Sequence, residues 1–147
     1  MVAVHMVCSL LSYVAFLAAF VSGTLFLLQE RQLKRKTMGV LFHRLPSLET
    51  LDRVNFLAIG TGFALLSIGV VFGLAGAGIL LGRWWTGDPK ESITLILWGS
   101  YLGLWLMRVR ATLRGHRVAL LSILGFSLVL FTFLGVSRFM PSWHSYL

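Results

Sequence analysis

Four long apolar stretches separated by short polar connections dominate this 147-residue chain and leave it few ways to fold. A helix crosses a hydrocarbon core of roughly 30 Å with about 20 residues. The stretches 2–28, 55–82, 92–107 and 118–139 are read as such helices. Composition agrees: 57% of residues are hydrophobic and only 12% charged, against about 25% charged in an ordinary soluble domain. The expected fold class is all-α, a polytopic membrane protein built as a bundle of four transmembrane helices in a single membrane domain, 1–147.

The first stretch starts almost at the initiator Met and has neither a basic start nor a small-residue cleavage site, so it is read as a retained span and not a signal peptide. The third is short and holds Ser100, Tyr101, Trp98 and Trp105; taking Pro89 to Ser92 as its first turn lengthens it enough. Cations set the orientation, because basic loops tend to remain cytoplasmic. Segment 29–54 carries Arg31, Lys34, Arg35, Lys36, Arg44 and Arg53, and segment 108–117 carries Arg108, Arg110, Arg114 and Arg117, together ten of the thirteen basic residues. Both segments are therefore expected inside, with the N-terminus, the 83–91 connection and the C-terminus outside a bacterial cytoplasmic membrane. The net charge of +8 follows this topology and an anionic inner leaflet, and does not point to nucleic acid.

Cys8 is the single cysteine, which excludes a disulfide framework, a Cys-x-x-Cys redox pair and a Cys-x-x-Cys-His haem-attachment site. The sizeable connection 29–54 is expected to begin by continuing the first helix to Lys36. A fresh helix then starts at Ser47, with Leu48, Leu51 and Phe56 along the interface and Asn55 at the start of the second span. Glycines at 69 and 73, at 78 and 82, and at 99 and 103 form small-x-x-x-small pairs that let helix backbones approach closely. Asp88-Pro89-Lys90-Glu91 reads as a helix start, with an N-cap aspartate, a first-turn proline and an N3 glutamate. His43 and His116 fall in the basic connections and are read as solvated or lipid-facing.

Several quoted stretches, in this order and spacing, resemble one family. They are Leu11-Ser12-Tyr13 after His5, Leu51-Asp52-Arg53, Trp84-Trp85 with Asp88-Pro89-Lys90-Glu91, Gly125-Phe126, Phe133-Leu134-Gly135-Val136 and His144-Ser145-Tyr146. The family is that of the haem-handling membrane proteins of cytochrome c assembly, the CcsA-like group with its HemX-type members. The resemblance implies that a tryptophan-rich external loop holds non-covalent, b-type haem, with axial histidines from neighbouring helix ends. Carried over, His5 and His144 become the iron ligands, Trp84 and Trp85 the aromatic walls, and Asp88 part of the loop's signature. Arg138, about a turn inside the outer boundary, is placed to meet a haem propionate. Imidazole ligation and flat indole cover suit the porphyrin.

The loop departs from the family's spaced tryptophans, offering Arg83-Trp84-Trp85-Thr86-Gly87-Asp88. The resemblance is to the C-terminal half of these proteins, whose full-length members have further helices ahead of the position of His5. A haem-binding component of cytochrome c assembly is therefore expected in preference to a self-sufficient haem lyase. Expected partners are membrane lipid, a second cytochrome c assembly membrane protein and apocytochrome c. The alternatives are a cofactor-free structural subunit of a larger membrane complex and a HemX-like regulator of haem biosynthesis.

Overall fold

Lipid offers the backbone no hydrogen-bond partner, so a chain this apolar must satisfy its N–H and C=O groups within helices. The computed structural model describes residues 2–36, 44–85, 87, 89–110 and 115–131. Its helices, in chain order, are α1 (Val2–Lys34), α2 (Leu48–Leu81), α3 (Pro89–Val109) and α4 (His116–Leu130). No strand occurs among the described residues. The protein is thus an all-α membrane bundle. Three segments, Val2–Lys34, Leu48–Leu80 and Glu91–Val109, are long and apolar enough to cross a membrane. The described α4 is 15 residues long, and the expected continuation to 139 lies outside the described residues.

Helix ends follow local chemistry. α1 runs through Gln29 to Lys34, as its polar continuation predicts, and the chain leaves it with Lys36 at φ 54°. Ser47 caps α2, its hydroxyl accepting from the Thr50 amide at 3.2 Å. The helix starts afresh after Ser47, as read from the sequence. Residues 48–54 are the first turns of α2 itself, because no glycine or proline interrupts the run from Leu48 to Ile59 and Leu51, Asn55 and Ile59 are buried on one stripe. Gly82, in the left-handed region at φ 65°, ends the helix. α3 starts at Pro89, where the missing amide hydrogen costs nothing.

Each helix buries a stripe at spacings of three and four, the pattern that lets neighbouring helices interdigitate. The stripes are Ser12, Phe16 and Ala19 on α1, Leu51, Asn55, Ile59, Gly62 and Leu66 on α2, Leu97, Tyr101, Leu104 and Arg108 on α3, and Val118, Ser122, Phe126 and Val129 on α4. Consecutive helices run antiparallel: His5 meets Gly69 whereas Ala19 meets Asn55, and Arg108 returns to Asp52. Phe16 stacks on Tyr101 with ring centroids 3.7 Å apart, and it occupies the space beside Gly62, where a Cβ would lie 2.5 Å from its ring. Trp98 and Trp105 pack on Phe63, and the Trp98 indole N–H donates to the Ser67 hydroxyl at 2.8 Å.

One polar knot ties three helices together. The Asn55 amide of α2 donates to the Ala19 carbonyl of α1 at 2.7 Å and to the Ser122 hydroxyl of α4 at 3.1 Å. Ser122 in turn donates to the Val118 carbonyl at 2.9 Å. All of this is buried, so the bonds have no competition from water. Asn55→Ala is expected to lower resistance to unfolding in mixed micelles by about 1 kcal/mol. Ser127→Ala, at an exposed hydroxyl bonded within its own helix, should leave the unfolding midpoint unchanged.

Candidate functional site

The start of α1, the last turns of α2 and the loop after Gly82 share one end of the bundle. There the His5 imidazole leans on α2, its Nδ1 lying 2.7 Å from the Gly69 carbonyl oxygen. A carbonyl only accepts, so Nδ1 carries the hydrogen, and in neutral imidazole the lone pair then sits on Nε2. The ring fits because α2 has no side chain where it rests. A Cβ at Gly73 would lie 2.8 Å from Nδ1, and one at Gly69 would lie 2.9 Å from the Ser9 hydroxyl. The Gly69/Gly73 pair thus serves close packing, and His5 is among the groups packed.

The tryptophan pair lies at the same end. After Gly82 the chain reverses and the Trp84 indole folds back over α2, with Cδ2 3.2 Å from where a Gly78 Cβ would be. Gly73 and Gly78 are five residues apart, so His5 and Trp84 dock on one helix at levels ~7.5 Å apart along its axis. Trp84 and Trp85 are 71% and 47% exposed. Large amphipathic rings left open at a helix end suit the membrane–water boundary. His5, Trp84 and Trp85 therefore lie toward one end of the bundle, with Gly73 and Gly78 pointing about 140° apart around α2. Asp88, Arg138 and His144 lie outside the described residues, as does His43.

The opposite end holds chemistry that sequence reasoning missed. Arg108, buried at the end of α3, pairs with the Asp52 carboxylate at 2.6 Å and donates to the Asp52 backbone carbonyl at 3.0 Å. Its guanidinium also lies 5.5 Å from the Phe56 ring centroid. The same carboxylate accepts from the Gly115 amide at 3.4 Å, and Gly115 takes φ 61° to turn the chain into α4. His116, read as solvated or lipid-facing, has a half-exposed side chain that also meets Glu30 of α1 at 2.6 Å, and Glu30 also pairs with Lys34 at 2.9 Å. These pairs fasten the α3–α4 connection to α1 and α2. An aspartate on the same helical face as buried Asn55 was the available signal, but its partner lies 56 residues away.

Two outcomes follow. Gly73→Ala should displace the His5 ring and reduce the Nδ1–H tautomer, read from the imidazole ¹⁵N shifts. Gly76→Ala, whose added methyl would meet nothing within 4 Å, should leave those shifts unchanged. Asp52→Ala should destabilise the fold by about 3 kcal/mol in micelle unfolding, because it strands a buried guanidinium. Arg108→Met should cost less, since the Asp52 side chain is 30% exposed and water can reach it.

Residues 1–144 match the family described as cytochrome c assembly protein. The chain is 38% identical over 108 residues to the cytochrome c biogenesis protein CcsA of Synechococcus sp. (strain JA-2-3B'a(2-13)), covering 74% of this chain and 31% of that protein. It is 34% identical over 125 residues to the protein of the same description from Crocosphaera subtropica, covering 85% and 37% respectively. The counterpart from Guillardia theta is 39% identical over 99 residues, covering 67% and 33%. The chain thus spans about a third of the length of these curated relatives. No solved structure matches it. With a family match running through nearly all of its residues, the chain belongs to the cytochrome c assembly protein family.

Proposed function

We propose that this chain is a haem-holding membrane component of cytochrome c biogenesis. Haem sits non-covalently at the end of the bundle that gathers His5, Trp84 and Trp85. His5 and His144 would supply the imidazole ligands to its iron, the tryptophans would cover the porphyrin, Asp88 would shape the loop, and Arg138 would pair with a propionate. The observation that carries the reading is the bond from His5 Nδ1 to the Gly69 carbonyl. It holds the ring in one orientation with the Nε2 lone pair as the ligating atom, the usual arrangement for a metal-binding histidine.

The family supplies the second support, since the matched relatives are named for cytochrome c biogenesis. The distribution of basic residues supports an orientation with this end outside a bacterial cytoplasmic membrane, where cytochromes c mature. Bound haem supplies a redox-active iron. This chain's residues orient an imidazole, shield a flat ring and leave room for delivery to apocytochrome c beside a second assembly protein in the lipid. Holding and presenting the group is the role assigned here; thioether formation is not.

The protein purified in mild detergent should show a Soret band and, when reduced, resolved α and β bands. His5→Ala and His144→Ala should each weaken or shift these bands, and exogenous imidazole should restore them. Gly73→Ala should reduce haem retention with both histidines in place. A chain that folds and carries no haem, even when produced with its assembly partners, would refute the proposal and favour a cofactor-free structural subunit.

A further inference from the structure

The connection between α2 and α3 carries a cation to which the fold gives no partner. Arg83 follows Gly82, the left-handed residue that ends α2, and its side chain is exposed. It makes no hydrogen bond or ion pair among the described residues. It therefore does not reach back to the open carbonyls of α2, and Glu91 at the start of α3 does not pair with it. At the opposite end, by contrast, Arg108 and Lys34 are both committed to carboxylates.

The backbone of Arg83 is held on both sides. Gly82 turns the chain at φ 65°, and the Trp84 indole rests on Gly78, so the cation stands between a fixed turn and an anchored ring. Its level relative to His5 is set as well. The imidazole lies against Gly69 and Gly73, and α2 continues past it to Leu81. Nine residues separate Gly73 from Gly82, ~13.5 Å along the axis. On the last turn Ile79 and Leu80 are 68% and 70% exposed. Beyond the imidazole, then, α2 offers apolar surface with a guanidinium at its far edge.

Haem has the same two characters, a flat apolar ring with both propionates along one edge. A carboxylate is costly within hydrocarbon, so that edge must turn to the polar boundary. With the iron at His5, an acid edge turned to the boundary lies toward Arg83. A guanidinium presents two parallel donors that match a carboxylate, which an ammonium does not. We infer that Arg83 binds one haem propionate and thereby sets which edge of the porphyrin faces the boundary, the second propionate being left to Arg138. Resting on the haem reading above, this adds a specificity to it: the site selects porphyrins whose carboxylates are free.

Titration of the haem-free protein in mild detergent, followed at the Soret band, tests this with two probes. One is haem; the other is haem dimethyl ester, with the same iron and ring and neutral side arms. Arg83→Gln should weaken haem binding about tenfold, the size of a two-pronged charge-assisted pair, and leave binding of the ester as it is in the unaltered protein. Arg83→Lys, which keeps the charge and loses the fork, should retain part of the affinity. Band positions should agree among the three proteins, because the imidazoles are untouched. Equal haem affinity in Arg83→Gln and the unaltered protein would overturn the inference. So would an equal loss for haem and ester, which would make Arg83 a structural residue. Unaltered protein that takes up neither probe would overturn the haem reading and this inference with it, a result distinct from the other two.

Discussion

The seam between α1 and α2 governs this structure. Lipid tails are as apolar as leucine, so burying an apolar side chain between helices gains little from solvent exclusion, and close packing must hold them. Along α2, glycines stand where α1 presents its larger groups: Gly62 under Phe16, Gly69 under Ser9 and Gly73 under His5. The hairpin this creates is the platform for everything else. Phe16, fixed against Gly62, offers its other face to Tyr101 and so positions α3. Phe20 meets Phe126 at 5.1 Å and Ser122 joins Asn55, which together seat α4.

Polar groups sort by depth along that platform. The interior knot at Asn55 is neutral, as a low-dielectric setting requires, and its hydrogen bonds have no competing water. Charges appear at the basic end, where Asp52 with Arg108 and Glu30 with His116 tie the connections down. The other end presents an imidazole and two open indoles.

Hydropathy made the helices legible, because membrane thickness turns length into a direct signal. The helix starts were equally readable from Ser47 and Pro89, whose chemistry is local. Register was not. The pair Gly69/Gly73 announced a close approach, but which residue of α1 would lie there depends on how two long helices slide past each other. Their spacing alone does not encode that. The Glu30–His116 contact spans 86 residues and the Arg108–Asp52 contact 56, so Arg108 and His116, viewed alone, each resembled one more residue of a basic connection. For the candidate site, His5 and the tryptophans were visible through family resemblance, while the carbonyl that orients the imidazole came only with the fold.

The length of α1 carries a consequence for where the clamped end resides. Its 33 residues extend ~50 Å, well beyond a hydrocarbon thickness of roughly 30 Å. Taking up the whole excess by leaning would require an inclination beyond the range of about 0–40° seen for spanning helices. Part of the α1–α2 hairpin therefore stands proud of the bilayer as a stalk. With His5 near one surface, the stalk emerges on the side of Glu30, Lys34 and Asp52. Headgroups of negatively charged phospholipids can then gather around the surplus arginines there, anchoring the protein's depth and keeping it from bobbing along the normal.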